Sequence, residues 1–306
     1  MKTKLIKVVL ITLALVLAAL NPAAAQNAFN PDTLSPSATS PTAASPTRTD
    51  SRILYHNGPV WTGTPVVYFI WYGNWGARIY QQLVVAEFVS NLGSSPYFQI
   101  NMGYPDSAGQ APNGATIYGG AANDAYSHGA TLTEADVADV VANAFRTGGL
   151  IFDPRAIYVV MTSPDVTVLD SVTSFCQTCC NLHGDSVFGG SSFRYVFVGN
   201  PERCPSTCGA QPSGAQTANG DMAADAMVSW LAHALNAVVT NPTGDGWYDR
   251  YGLENSEKCE GTYGTTYPVT NLWGQPALAN VKLGYRHYLL QQNWVNGKKG
   301  HCAMSQ

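Results

Sequence analysis

The sequence predicts an α/β (α+β) fold, and three observations carry that prediction. Continuous apolar and aromatic runs alternate with segments of helical periodicity. Nearly all the strand-like runs precede one long helical stretch at 221–240. Beyond it the chain shows no sustained period up to residue 306 and holds two cysteines, Cys259 and Cys302. Strands interleaved with helices bury their apolar faces as layers. The expected architecture is therefore a mixed sheet with flanking helices, the long helix 221–240, and an irregular, disulfide-stabilised C-terminal part.

Each element has its own reason. Residues 65–72, PVVYFIWY, run apolar and aromatic into Gly73 and read as a buried strand. From 80 to 92, apolar residues at 80, 83, 84, 88 and 92 form a helical stripe. Residues 115–118, ATIY, make a short strand. Thr133 followed by Glu134 and Asp136 opens a helix with a hydroxyl cap and early acids. That helix runs to about Arg146, where Gly148-Gly149 closes it. Residues 156–161, AIYVVM, are a second buried strand, a cysteine-rich loop follows, and 194–198, RYVFV, are a further strand. The long helix ends at Asn241-Pro242, since proline cannot continue it.

The first 25 residues read as a secretory signal peptide. Lys2, Lys4 and Lys7 precede an apolar run from Val8 to Leu20, and Ala23-Ala24-Ala25 offers small residues for cleavage before Gln26. The apolar run is short for a membrane span, and no basic stop-transfer cluster follows it. Residues 26–50, rich in Ser, Thr, Pro and Ala, read as a disordered linker, and the folded domain as 51–306. Removing the three signal lysines lowers the 16 Lys and Arg to 13 against 20 Asp and Glu, a formal net charge of −7. No basic run remains, which argues against nucleic acid and against anionic lipid as partners. The mature protein is expected to be exported and free of any membrane span. Its seven cysteines, Cys176, Cys179, Cys180, Cys204, Cys208, Cys259 and Cys302, should pair in an oxidising compartment and leave one over. The spacings are not those of a zinc ribbon, and connectivity stays open.

The order of elements is also that of the N-terminal half of a zinc metallopeptidase, although order alone is shared by many α/β folds. In such an enzyme H-E-x-x-H sets two histidines one helical turn apart on one face, with the glutamate as general base. Mapped onto WLAHALNAVV (230–239), His233 takes the first ligand position, Ala234 that of the base and Ala237 that of the second ligand. Alanine neither moves a proton nor binds metal. Glu254 is a candidate distant carboxylate ligand, and His128 and His183 are histidines the sequence leaves unplaced. The ordinary reading is a packed core histidine, because Met227, Trp230, Leu231, Leu235 and Val238 already form a core stripe.

Several ordered blocks resemble the EXORDIUM or phosphate-induced protein family of secreted proteins. They are ILYHNGPVWTG (53–63), VYFIWYGNW (67–75), SPDVTV (163–168), SFCQTCCNLHG (174–184), FVGNPERCPSTC (197–208), TNPTGDGWYD (240–249) and GLENSEKCEGTYG (252–264), with Cys302 near the end. The resemblance covers residues 51 to 306. It implies an extracellular or cell-wall (apoplast) location, plant members that regulate growth and cell expansion, and no settled enzymatic activity. It implies disulfide cysteines at Cys176, Cys180, Cys204, Cys208, Cys259 and Cys302, leaving Cys179 either as the unpaired thiol or in competition with Cys180 for a partner. Microbial relatives carry HExxE on this helix, followed by TDP and WYD. This chain keeps His233, Thr240, Pro242, Trp247, Tyr248 and Asp249, departs at Ala234 and Ala237, and has Asn241 in place of an acid. The implied molecule is a pseudoenzyme: a zincin-like scaffold without catalytic residues, with His233 and Glu254 as remnants of a zinc site and no required cofactor.

Other chemistry is poorly supported. No G-x-S-x-G elbow and no Walker or Rossmann fingerprint occurs. Asp245, Asp249, Glu254 and Glu257 are close in sequence, but turn capping and solvation account for them, and their spacing is not an EF-hand loop. Aromatics near expected sheet ends, Trp247 and Tyr248 with Asp249 beside them, are candidate ligand contacts for a cell-wall polysaccharide or an extracellular protein, weighed against plain core packing. Residual zinc-dependent hydrolysis and carbohydrate binding stand as the alternatives to a non-catalytic binding role.

Overall fold

The computed structural model describes residues 52–171, 173–209, 216–297 and 299–306. The expected signal peptide at 1–25 and linker at 26–50 lie outside the described residues. In chain order the elements are β1 (Leu54–Tyr55), β2 (Val66–Tyr72), α1 (Ile79–Leu92), β3 (Ile117–Asp124), β4 (Thr131–Leu132), α2 (Glu134–Arg146), β5 (Ala156–Thr162) and β6 (Thr167–Val168). There follow β7 (Asn181–Phe188), β8 (Ser191–Val198), the single-turn α3 (Pro205–Cys208), α4 (Met222–Thr240) and β9 (Trp247–Tyr248). The C-terminal part holds β10 (Tyr267–Thr270), β11 (Pro276–Ala279), β12 (Val281–Leu283), β13 (Arg286–Tyr288), β14 (Asn293–Val295) and β15 (His301–Ala303).

The mixed α+β architecture is the one expected. A five-stranded sheet has the order β3-β2-β5-β8-β7, with β7 alone antiparallel to its neighbour. Alternate residues of each strand face opposite layers, as the pleat requires. Val67, Phe69 and Trp71 of β2 join Ile157 and Val159 of β5 in one core with α1 and α4. Ile70, Tyr72, Tyr158, Val160 and Phe197 face the other way, against α2. β5 is buried along its whole length, which is why it reads as an uninterrupted apolar run. Thr133 caps α2 through a full capping box with Asp136, as its sequence predicts.

Within the five-stranded sheet two strands differ from expectation, and the C-terminal part, expected to be irregular, holds the six short strands β10 to β15. The strand expected at 115–118 is longer and later, 117–124, and includes Gly119-Gly120. An added Cβ on Gly119 would stand 2.5 Å from Val66 and 2.6 Å from Tyr68, so the neighbouring strand admits no side chain there. The region between 162 and 193, expected as a loop, contains the edge strand β7. Its polar stretch His183-Gly184-Asp185-Ser186 hides it, yet Gly189 and Gly190, both at positive φ, close a two-residue hairpin to β8.

Helix α4 starts at Asp221, whose side chain accepts from the Ala224 N–H, and stops at Asn241 before Pro242. It is buried almost all round rather than on one stripe. By length and composition it would qualify as a membrane span, but 89% of the qualifying window is covered by the fold, which makes it a core helix. Three disulfides are formed, Cys176–Cys204, Cys180–Cys208 and Cys259–Cys302, and Cys179 is free and buried. The first two tie the segment before β7 to the segment after β8, so they close the open end of the edge hairpin, opposite the Gly189-Gly190 turn. Replacing Cys180 and Cys208 together by serine should lower stability by about 1–2 kcal/mol, seen as a lower denaturant midpoint, less than for an isolated bridge because Cys176–Cys204 still closes the overlapping loop. Cys179→Ser should change it little.

Candidate functional site

His233 projects from the middle of α4 and is 3% exposed. Ala234 and Ala237, at the positions of a base and a second ligand, are both fully buried. The helix face that would carry chemistry is thus packed with methyl groups. His233 Nδ1 has no hydrogen-bond partner among the described residues. Burial pushes the imidazole pKa down to about 4, against a hydrogen bond with Gln291 and the charge of Glu254, which both raise it. Gln291 is itself held by donating to the Ser256 carbonyl at 3.0 Å.

Glu254 reaches the same region from the segment after β9, and it is fully buried. Its Oε2 pairs with His183 Nε2 at 3.0 Å, and its Oε1 accepts from the Asn241 side-chain amide. His183 comes from β7, so the overlooked edge strand supplies a member of the site. Burial alone would lower the His183 pKa, but the Glu254 carboxylate, helped by Glu257 and Glu134, leaves it raised. Asn241, the residue standing where an acid was expected, also accepts from the Gly246 N–H at 2.6 Å and so ties the end of α4 to the following turn.

Whether these residues fit a zinc ion is a matter of donors. Zinc sites use three or four protein ligands with free lone pairs. Here Glu254 and His183 Nε2 are committed to each other, Asn241 occupies the second carboxylate oxygen, and the buried Nδ1 of His233 is without a partner among the described residues. Among the described residues no three His, Cys, Asp or Glu side chains are grouped to hold a metal ion. The arrangement does not fit zinc as it stands. His128 lies elsewhere, bonded to Ser127 and Asp139 at 2.8 Å each.

The three candidate ligand contacts beyond the helix have internal partners. Trp247 donates its indole N–H to the Pro105 carbonyl at 3.0 Å and packs edge-on against Tyr104. Tyr248 stacks on His56 at 3.6 Å between ring centroids. Asp249 is buried and accepts from Lys258 Nζ at 3.0 Å. β9, which carries Trp247 and Tyr248, pairs with β1, so this turn locks the start of the domain to the end of α4. Sequence reading missed a network of buried amides on the next face of α4. Asn236 donates to the Tyr97 hydroxyl and accepts from Asn101, which in turn accepts from Asn255. Asparagines at 101, 236, 255 and 293 inside one core were the available signal.

His233 gives the site a measurable pH dependence. Its folded pKa of about 4 lies below the ordinary 6.5, so the unfolded chain binds the extra proton first as pH falls. Stability should be full above pH 6.5 and fall toward pH 4 by roughly 1–3 kcal/mol through this group. Unfolding curves of His233→Leu should lack that increment; an unchanged acid limb would remove the buried neutral imidazole from the explanation.

A family model described as the phosphate-induced protein 1 conserved region matches residues 53–304. The chain is 31% identical to protein EXORDIUM-like 3 of Arabidopsis thaliana over 278 residues, 79% of this chain and 80% of that one. It is 32% identical to protein EXORDIUM-like 1 of the same plant, over 70% and 75% of the two chains. To protein PHOSPHATE-INDUCED 1 of Nicotiana tabacum it is 28% identical, over 68% and 72%. No solved structure matches the chain.

Proposed function

The chain belongs to the phosphate-induced protein 1 family with the EXORDIUM-like proteins, and from that premise we propose that it is an exported, non-catalytic protein that acts outside the cell by binding. In this reading it is a pseudoenzyme: the helix and sheet derive from a zinc-peptidase-like scaffold, and the helix now serves packing. The observation that carries it is the pairing of Glu254 with His183 and Asn241 beside the buried Ala234 and Ala237. The carboxylate most able to bind metal or move a proton is consumed in an internal bridge. Three disulfides support an oxidising, extracellular setting, in keeping with the signal-like residues 1–25. A cell-wall location, a polysaccharide or protein partner there, and a part in growth or cell expansion belong to the same reading.

The competing reading is a residual zinc-dependent hydrolase. One observation favours it, the unpartnered Nδ1 of His233. Incubation of the purified domain with an unfolded protein substrate and added zinc separates the two. A pure binding protein releases no more peptide than its chelator-treated control. Cleavage that needs zinc and disappears in His233→Ala would establish the hydrolase instead.

A further inference from the structure

A second site lies apart from the buried histidines. An open pocket of about 410 Å³ is formed by the 59–64 segment, the 153–155 turn, Arg194 of β8 and Pro242 after α4. Its wall is held by close backbone approach. Gly58 N–H donates to the Asp245 carbonyl at 2.8 Å, and a Cβ on Gly58 would fall within 2.4 Å of Asp245. Trp61 is anchored by its backbone N–H to the Val239 carbonyl of α4 at 2.9 Å, and this half-buried residue both packs against the core shared by α1 and α4 and lines the pocket.

Arg194 is the unusual residue here. Its guanidinium forms no hydrogen bond and no ion pair among the described residues, and its Nε is buried without a partner. A half-buried guanidinium normally has its fork of donors engaged, since leaving them unmet costs free energy. Asp185, opposite it on β7, and Asp245 act on it only through charge. On the other side, Asp153 uses its Oδ1 to hold Arg155 and keeps a second oxygen available. The pocket therefore offers a flat aromatic ring, an unused donor fork and an acceptor carboxylate.

We propose that this pocket binds one pyranose ring of an uncharged glycan, stacked on Trp61, with hydroxyls accepting from Arg194 and donating to Asp153. A sugar ring has the flat C–H face that packs on an indole, and its vicinal hydroxyls both give and accept hydrogen bonds. The charged groups lining the pocket are Arg155, Arg194 and Asp153, and Asp185 and Asp245 offset the charge of Arg194 from outside the lining. An anion would meet the Asp153 carboxylate, whereas a neutral polyol meets both donors and acceptors. The site is distinct from the Trp247 turn, whose indole N–H is already used within the protein. The proposal rests on the binding reading above and names its ligand class and its location.

The test is titration calorimetry of the purified domain with cellohexaose, laminarihexaose, a xyloglucan heptasaccharide and, as the acidic arm, hexagalacturonate. The expected result is binding of at least one neutral sugar, weakened about tenfold or more in Trp61→Ala and in Arg194→Met. Trp273→Ala, which removes an indole 68% exposed elsewhere on the surface, should leave it unchanged. If Arg194→Met fails to fold, Gly63→Leu serves instead, because an added Cβ at Gly63 meets nothing within 4 Å and the side chain blocks the pocket. Binding of no neutral sugar, binding of hexagalacturonate alone, or neutral-sugar binding indifferent to Trp61 and Gly63 substitution would overturn the proposal. Zinc-dependent hydrolysis decides the non-catalytic reading and these titrations decide the pocket, so either can fail without the other.

Discussion

Replacing Glu254 by alanine should destabilise the domain by about 3–5 kcal/mol, the usual consequence of removing one member of a buried ion pair. His183 and Glu254 have side chains only 4% and 1% exposed, so neither can exchange its partner for water. The Asn241 amide would lose its acceptor in the same step, and with it the tie between α4 and the turn at Gly246. Glu254→Gln keeps an acceptor for Asn241 and should cost less, about 1–2 kcal/mol. The sign of the pH dependence follows from His183. Its folded pKa is raised above the ordinary 6.5, so the pair's contribution is complete below pH 6.5 and is lost as pH rises through the folded value. Denaturant midpoints at pH 6 and pH 9 should therefore converge between wild type and Glu254→Ala at the higher pH. A constant difference across that range would mean that the carboxylate acts through packing and not through charge.

Lys258→Met should be comparably damaging, again about 3–5 kcal/mol, because Asp249 would lose its cation inside the protein. The lysine and aspartate side chains are both fully buried, with Nζ and Oδ2 3.0 Å apart. The ammonium also sits 4.6 Å above the Trp294 ring, which adds a cation–π attraction that methionine does not reproduce. Asp249 receives the backbone N–H groups of Tyr251 and Leu253 as well, so its carboxylate organises the turn that brings Glu254 inward. The double variant Asp249→Asn, Lys258→Met removes the stranded charge and should recover part of the loss. A double variant no better than Lys258→Met would show that the lysine stem, not the ion pair, is what the core requires.

The long helix was legible because its limits are set locally, by the Asp221 cap and the Asn241-Pro242 stop. The strands β2, β5 and β8 were legible because burial on both faces writes an apolar run into the chain. β3 was legible only at its start and β7 not at all, for opposite reasons. β3 is a strand because it pairs in parallel with β2, and its small residues answer to Tyr68 across the ladder rather than to β propensity. β7 has polar residues at its centre because one of them, His183, faces a carboxylate 71 residues away. No local pattern contains that contact. The same holds for the candidate site: motif spacing singles out His233 and Glu254, but their separate fates depend on which partner folding brings to each. Glu254 acquires His183 and Asn241, while His233 acquires a dry core and a depressed pKa. The role of the 59–64 segment and of Arg194 in a pocket could not be read at all, since its walls come from four distant stretches.

The helix bearing His233 is expected to keep its fold without a metal site. Elemental mass spectrometry of the purified domain, dialysed against neutral buffer after exposure to zinc, measures the bound metal directly. A closed Glu254–His183–Asn241 bridge should leave the protein with far less than one zinc per chain, and the same small amount in His233→Ala. Close to one zinc per chain, lost in His233→Ala, would contradict the claim and return the chain to the metalloenzymes.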